Sequence, residues 1–160
     1  MTAKNSAPDT LRVATAQLNP IMGDIKGNVL KAKEAWGEAK RHGADLVLFT
    51  ELFIAGYPPE DLVLKPAFVD ACEKAVEEIA AITKDGGPGM IVGLPMRRKT
   101  GLHNAVVVID AGKVIAERFK ADLPNYGEFD EKRVFQPGPM PGPVNFRGIR
   151  IGVPICEDIW

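Results

Sequence analysis

Three side chains stand where an apolar run gives way to a loop, and together they could support nucleophilic catalysis by a thiol. Cys156 directly follows the apolar run 149–155, at a point where a helix would open. Unpaired N–H groups at a helix start favour an anion and shift a thiol toward thiolate. Glu157 and Asp158 oppose that shift if they point inward. The plain alternative is a buried cysteine that closes a strand. A nucleophilic cysteine needs a base, and the chain has only His42 and His103 as imidazoles. His42 closes an amphipathic segment beside Arg41 and Gly43, and His103 precedes an alternating strand, so neither position singles out a base. The base is then expected to be a carboxylate in a dry pocket. Glu51 ends the apolar run 46–50 and is flanked by Phe49, Leu52 and Phe53, where a charge is costly without a partner. Lys120 ends the run 114–119 in the same way, and an ammonium beside the sulfur stabilises both thiolate and a developing oxyanion. An exposed glutamate and a solvated lysine at strand ends are the ordinary alternatives for these two.

The elements that must bring these groups together follow an α/β order. Residues 11–18 alternate and read as a strand, broken by Asn19-Pro20, Gly23 and Gly27. Asn28 is a plausible N-cap for a helix to His42, with Val29, Ala32, Ala35, Trp36 and Ala39 on one face and Gly43 ending it. Residues 45–50 read as a buried strand, and strand–helix–strand is the order of a parallel crossover. A Gly/Pro-rich loop at 55–61 leads into a helix over 66–83, whose apolar stripe is Phe68, Cys72, Ala75, Val76, Ile79 and Ile82. Cys72 fits that stripe as an apolar filler. Residues 90–95 read as a strand and 97–101 as a solvated basic turn. Residues 104–110 and 113–119 form a hairpin around Ala111-Gly112. The polar, aromatic stretch 120–135 reads as a functional loop with a short helix, followed by a Pro/Gly crossing at 136–143. Residues 144–146 and 149–155 make a last hairpin that turns at Arg147-Gly148.

Bulk properties narrow the class. The 160 residues are 46% hydrophobic and 26% charged, with 20 basic and 21 acidic side chains for a net charge of −1. That balance gives no electrostatic reason to expect nucleic acid or an anionic membrane as partner. No apolar run is long enough to span a bilayer. Residues 1–10 are polar, without the hydrophobic stretch of a signal peptide, and read as the frayed tail of a cytoplasmic protein. Two cysteines and two histidines suggest neither a disulfide framework nor a metal site.

The segments Leu48-Phe49-Thr50-Glu51-Leu52, Lys120-Ala121-Asp122-Leu123-Pro124-Asn125-Tyr126 and Gly152-Val153-Pro154-Ile155-Cys156-Glu157-Asp158-Ile159-Trp160 resemble the three motifs of the nitrilase, or carbon–nitrogen hydrolase, superfamily. The finer resemblance is to the N-terminal glutaminase branch found in glutamine-dependent NAD synthetases. It is carried by Gly56-Tyr57-Pro58-Pro59-Glu60-Asp61-Leu62, by Leu123-Pro124-Asn125-Tyr126-Gly127 with Phe129-Asp130-Glu131, and by Cys156-Glu157-Asp158-Ile159-Trp160. The likeness runs from Leu11 onward. It implies a four-layer α-β-β-α sandwich and a Glu51–Lys120–Cys156 triad. Glu51 would take the thiol proton, Cys156 would attack the amide of L-glutamine, and Lys120 with the Glu157 backbone N–H would hold the oxyanion. Tyr126 would border or bind the glutamine, and Tyr57 and Phe129 would line its pocket. No cofactor is implied for this step.

The resemblance also implies what to expect of the rest. Residues 11–160 would be a truncated hydrolase domain, because Cys156-Glu157-Asp158 opens a helix that the chain does not continue. The synthetase domain that uses ATP and magnesium to amidate nicotinic acid adenine dinucleotide would be missing, and no GxxxxGK[ST] loop replaces it. The fragment alone is expected to make no NAD and to be impaired as a glutaminase. The family implies a homo-oligomer. Two other readings stay open here: a stand-alone amidase or nitrilase of the same superfamily, and a non-catalytic remnant acting in binding or assembly.

Overall fold

Period-two alternation builds one five-stranded sheet whose two faces do different things. The computed structural model describes residues 10–160, so the tail expected at 1–10 lies, but for Thr10, outside the described residues. The strands are β1 (Val13–Ala16), β2 (Leu46–Phe49), β3 (Gly89–Arg98), β4 (Gly101–Asp110) and β5 (Lys113–Phe119), hydrogen-bonded in that order. β1, β2 and β3 are parallel, β4 is antiparallel to β3, and β5 is antiparallel to β4. β2, β3 and β5 therefore finish at one rim of the sheet, where β4 begins.

Helices α1 (Ile25–Arg41) and α2 (Pro66–Ile82) cover one face. Trp36, Val76 and Ile79 pack there on Val47, Met90, Val92 and Val107. The other face carries Leu46, Ile91, Val106 and Val108 and packs against Val144, Phe146, Val153 and Ile155. Val144 and Phe146 belong to β6 (Val144–Phe146), which pairs with β7 (Ile149–Ile151), and Val153 and Ile155 lie in the segment after β7. The described residues thus form one helix layer, one sheet layer and a hairpin over the outer sheet face. No helix among them is long and apolar enough to cross a membrane.

Four local expectations change. α1 opens at Ile25, three residues before Asn28, because Asp24 Oδ1 takes the Gly27 N–H at 2.9 Å and caps it. Asn28 is instead buried inside the helix, where it accepts the Ile21 N–H at 2.8 Å and donates to the carbonyls of Ile21 and Ile54 at 2.8 and 3.1 Å. The basic run 97–101 turns only at Lys99-Thr100, while Arg97 and Arg98 still belong to β3 and Arg98 bonds Glu117 at 2.6 Å and Glu73 at 2.9 Å. The strand expected at 149–155 pairs only through Ile151, where its three-residue partner β6 runs out. Cys72 lies as expected in the buried stripe of α2, and burial pushes its thiol up to about 12.

Candidate active site

Glu51 reaches the site because the chain after β2 folds across β3. Leu52 takes a left-handed φ of 49°, and the Ile54 N–H bonds Gly93 O at 3.1 Å. A Cβ on Gly93 would collide with Leu52 N and stand 2.9 Å from Thr50 O. Glycine is therefore required where the backbone passes over the strand. That crossing carries Glu51 from the tip of β2 toward β4 and β5. Lys120 follows Phe119 and so points away from the helices by simple alternation. Its N–H bonds Asn104 O at 2.8 Å, its carbonyl takes the Gly138 N–H at 2.8 Å, and its side chain is fully enclosed.

Lys120 Nζ lies 2.8 Å from Glu51 Oε1 and 2.7 Å from Glu131 Oε1. Glu131, in the one-turn 3₁₀ segment Glu131–Arg133, is only 7% exposed. Burial alone would pull the Lys120 ammonium down, but its bonds to Glu131 and Glu51 outweigh that and leave it raised. Burial raises the Glu131 carboxyl, offset only in part by Lys120. Two carboxylates and one ammonium thus share a dry space, and each ion is hydrogen-bonded as a buried charge must be.

Cys156 opens a second 3₁₀ turn, Cys156–Ile159, with a left-handed φ of 46°. Asp158 clamps that turn to the lysine loop. Its Oδ1 accepts the N–H groups of Ala121 and Asp122, and its Oδ2 that of Ile155, each at 2.9 Å. Cys156, Glu51, Leu48, Gly93, Val106 and Val153 line a cavity of about 200 Å³. Burial and the Glu51 carboxylate push the thiol up, against a smaller lowering by Lys120. The shift toward thiolate expected from a helix start is thus reversed: a single 3₁₀ turn supplies little field, and an anion faces the sulfur. No hydrogen bond among the described residues engages the Glu157 N–H, which remains available to an acceptor.

The other candidates divide between two hollows beside this cavity. Tyr57 and Phe129 line a space of about 60 Å³ together with Glu131. Burial, followed by Glu51 and Glu131, raises the Tyr57 phenol to about 12. Tyr126 lines a larger groove of about 830 Å³ with Glu157, and its hydroxyl donates to the Glu157 carboxylate, 3.0 Å from either oxygen. The Tyr126 and Phe129 rings meet edge to face, 5.7 Å between centroids, which joins the two hollows' walls. Among the described residues no group of three or more His, Cys, Asp or Glu could hold a metal ion.

The sequence alone assigns no role to Asn104 or Gly93, and none to Glu131 beyond its place in the Phe129-Asp130-Glu131 segment. Asn104 carried a readable signal, being a polar residue in phase with Val106 and Val108 on a face of β4 that is otherwise apolar. Gly93 did too, as an isolated glycine inside an apolar strand. Charge alone does not single out Glu131, because five of the six residues 128–133 are charged.

Glu51 and Lys120 at the rim of one sheet, with Cys156 on a left-handed turn, are residue types that a cysteine hydrolase acting on a carbon–nitrogen bond could use. The family model described as carbon–nitrogen hydrolase matches residues 12–160, and the chain belongs to that family. Glutamine-dependent NAD(+) synthetase from Thermotoga maritima is 43% identical over 150 residues, covering 94% of this chain and 26% of that protein. The same-named protein from Rhodobacter capsulatus is 43% identical over 152 residues, covering 95% and 27%. The solved structure of glutamine-dependent NAD+ synthetase from Acinetobacter baumannii superposes with a TM-score of 0.87 at 38% identity, over 94% of this chain and 28% of that one. An amidase from Nesterenkonia sp. gives 0.73 at 26% identity, over 93% and 57%. The chain spans about a quarter of the length of the NAD synthetases it matches.

Proposed function

We propose that this chain hydrolyses the side-chain amide of L-glutamine and supplies the ammonia to a longer glutamine-dependent NAD(+) synthetase of which it forms a part. The observation that carries the reading is the enclosed Lys120 ammonium, 2.8 Å from Glu51 Oε1, with the Cys156 thiol facing the same carboxylate. In this reading the thiol keeps its proton at rest and hands it to Glu51 as the sulfur attacks the amide carbon. Lys120 and the Glu157 N–H receive the oxyanion. Glu51 returns the proton to the nitrogen, the C–N bond breaks and ammonia leaves. Water then gives a proton to Glu51 and attacks the thioester, releasing glutamate and the thiol. Tyr126 would border the glutamine, and Tyr57 and Phe129 would line its pocket.

Residues 11–160 would then be part of a hydrolase domain in a cytoplasmic homo-oligomer. ATP and magnesium would be used by a synthetase domain outside this chain. The names of the relatives at 43% identity support glutamine as substrate. The likeness to the Nesterenkonia amidase, TM-score 0.73, favours a second reading, hydrolysis of another small amide. The test is release of glutamate and ammonia from L-glutamine by the longest polypeptide that the gene encodes, with residues 1–160 and C156A in parallel. Turnover of glutamine that C156A abolishes supports the proposal. Turnover of simple aliphatic amides without glutamine moves it to the second reading, and activity that survives C156A overturns both.

A further inference from the structure

The two buried carboxylates beside Lys120 are chemically alike, yet only one of them has an oxygen to spare. Lys120 Nζ and Asn104 Nδ2 each bridge both acids. The ammonium touches Glu51 Oε1 at 2.8 Å and Glu131 Oε1 at 2.7 Å, while the amide touches Glu51 Oε1 at 2.6 Å and Glu131 Oε2 at 3.3 Å. Glu131 therefore has one donor on each oxygen. Glu51 has both donors on Oε1, and among the described residues Oε2 has no hydrogen-bond partner. Asn104 makes the difference, since without its amide nothing draws Oε1 of Glu51 inward except the lysine that Glu131 shares.

Asn104 also keeps this arrangement at a cost. It is fully buried, and its Oδ1 has no hydrogen-bond partner. A buried acceptor left unpaired is destabilising, and native chains seldom tolerate one without a reason. Turning the amide over would pair nothing, because its oxygen would then face two carboxylates. The backbone fixes the residue as well: Asn104 O takes the Lys120 N–H at 2.8 Å, so the amide and the ammonium are set on one ladder.

We infer that Asn104 is a positioning residue that assigns the base, holding Glu51 so that Oε2 is presented to Cys156 while Glu131 is kept out of proton transfer. The inference rests on the hydrolase reading above. The variants N104L and N104D, in the longest polypeptide that the gene encodes, test it by steady-state glutamine hydrolysis, with thermal melts to measure the folded fraction. A base displaced by about 1 Å costs on the order of 100-fold in rate. Both variants should therefore lose about that factor in kcat at neutral pH, with KM within about threefold.

N104D carries the decisive readout. Its new carboxyl would face Glu51 and Glu131, with Lys120 as the cation and Tyr57 and Cys156 as the other titratable neighbours. Protonated, it becomes an O–H donor of nearly the same shape as the amide. The activity of N104D relative to wild type should therefore climb as pH falls from neutrality toward the carboxylate range, and that of N104L should not. Wild-type kcat in either variant, or no recovery of N104D on acidification, overturns the inference. So does a loss that merely follows the folded fraction, which would make Asn104 a structural residue. C156A separates the levels: if it is silent while N104D turns over normally, only this inference fails, and if C156A is active the hydrolase reading fails with it.

Discussion

Replacing Gly93 with alanine puts one carbon where the chain between Thr50 and Leu52 crosses β3. The added Cβ would stand 2.9 Å from Thr50 O and 3.0 Å from Glu51 C, against the 3.4 Å at which ordinary contact begins, and closer still to Leu52 N. All three atoms are backbone, so no side chain can swing aside. The crossing must lift by about 1 Å to clear Leu52 N, or β3 must yield, and β3 is held on both edges by β2 and β4. Overpacking of this kind destabilises by about 1–3 kcal/mol, or about 3–10 °C in melting temperature for a domain of this size. The same lift moves Glu51 off Lys120 and the sulfur, which should lower kcat by roughly 10- to 100-fold. The assay is glutamine turnover with kcat and KM resolved, beside a thermal melt. A G93A enzyme that melts early but keeps kcat within about threefold would show that Glu51 does not depend on the crossing, and the account of how the base is placed would be wrong.

Three further outcomes are expected. D158A frees the part-buried N–H groups of Ala121 and Ile155 and the exposed one of Asp122; at about 1 kcal/mol for each of the first two it should cost about 2 kcal/mol in urea unfolding and lower kcat more than it raises KM. Unchanged turnover in D158A would mean that the lysine loop and the nucleophile turn need no clamp. Tyr57, raised from 10.0 to about 12, favours its neutral form in the folded state. Its contribution is thus complete below pH 10 and lost as pH rises from there through about 12, with Lys120 acting in the same direction. Phenolate absorbance that develops at the ordinary tyrosine value in the folded protein would contradict this. In α1, a Cβ on Gly37 would meet nothing nearer than Arg41 Nη1 at 3.9 Å, so G37A should add about 0.5–1 kcal/mol of stability and leave turnover alone. A slower G37A enzyme would tie the helix layer to the chemistry.

The elements were legible wherever one force dominated. The stripe of α2 and the hairpin at Ala111-Gly112 follow from apolar periodicity and a left-handed turn, and the structure has both. The start of α1 was misplaced because two residues of capping type stand four apart, and only the fold shows that Asn28 is needed as a buried brace for Ile21 and Ile54. Arg98 was misread for a related reason: its partners Glu73 and Glu117 are 25 and 19 residues away. The site divides along the same line. Glu51, Lys120 and Cys156 announce themselves by their place at the ends of apolar runs; the structure puts Glu51 and Cys156 on one cavity and Lys120 2.8 Å from Glu51. Glu131 and Asn104 act through partners supplied by distant segments, and no local pattern encodes such a pairing.

Leu48, Ile91, Gly93 and Val106 line the cavity from the side of the sheet turned away from α1 and α2, and neither helix contributes a lining residue. The sheet thus stands between the helix layer and the cavity. Substitutions on the exposed faces of α1 and α2 leave the cavity wall untouched, whereas a methyl group added at Gly93 enters it directly.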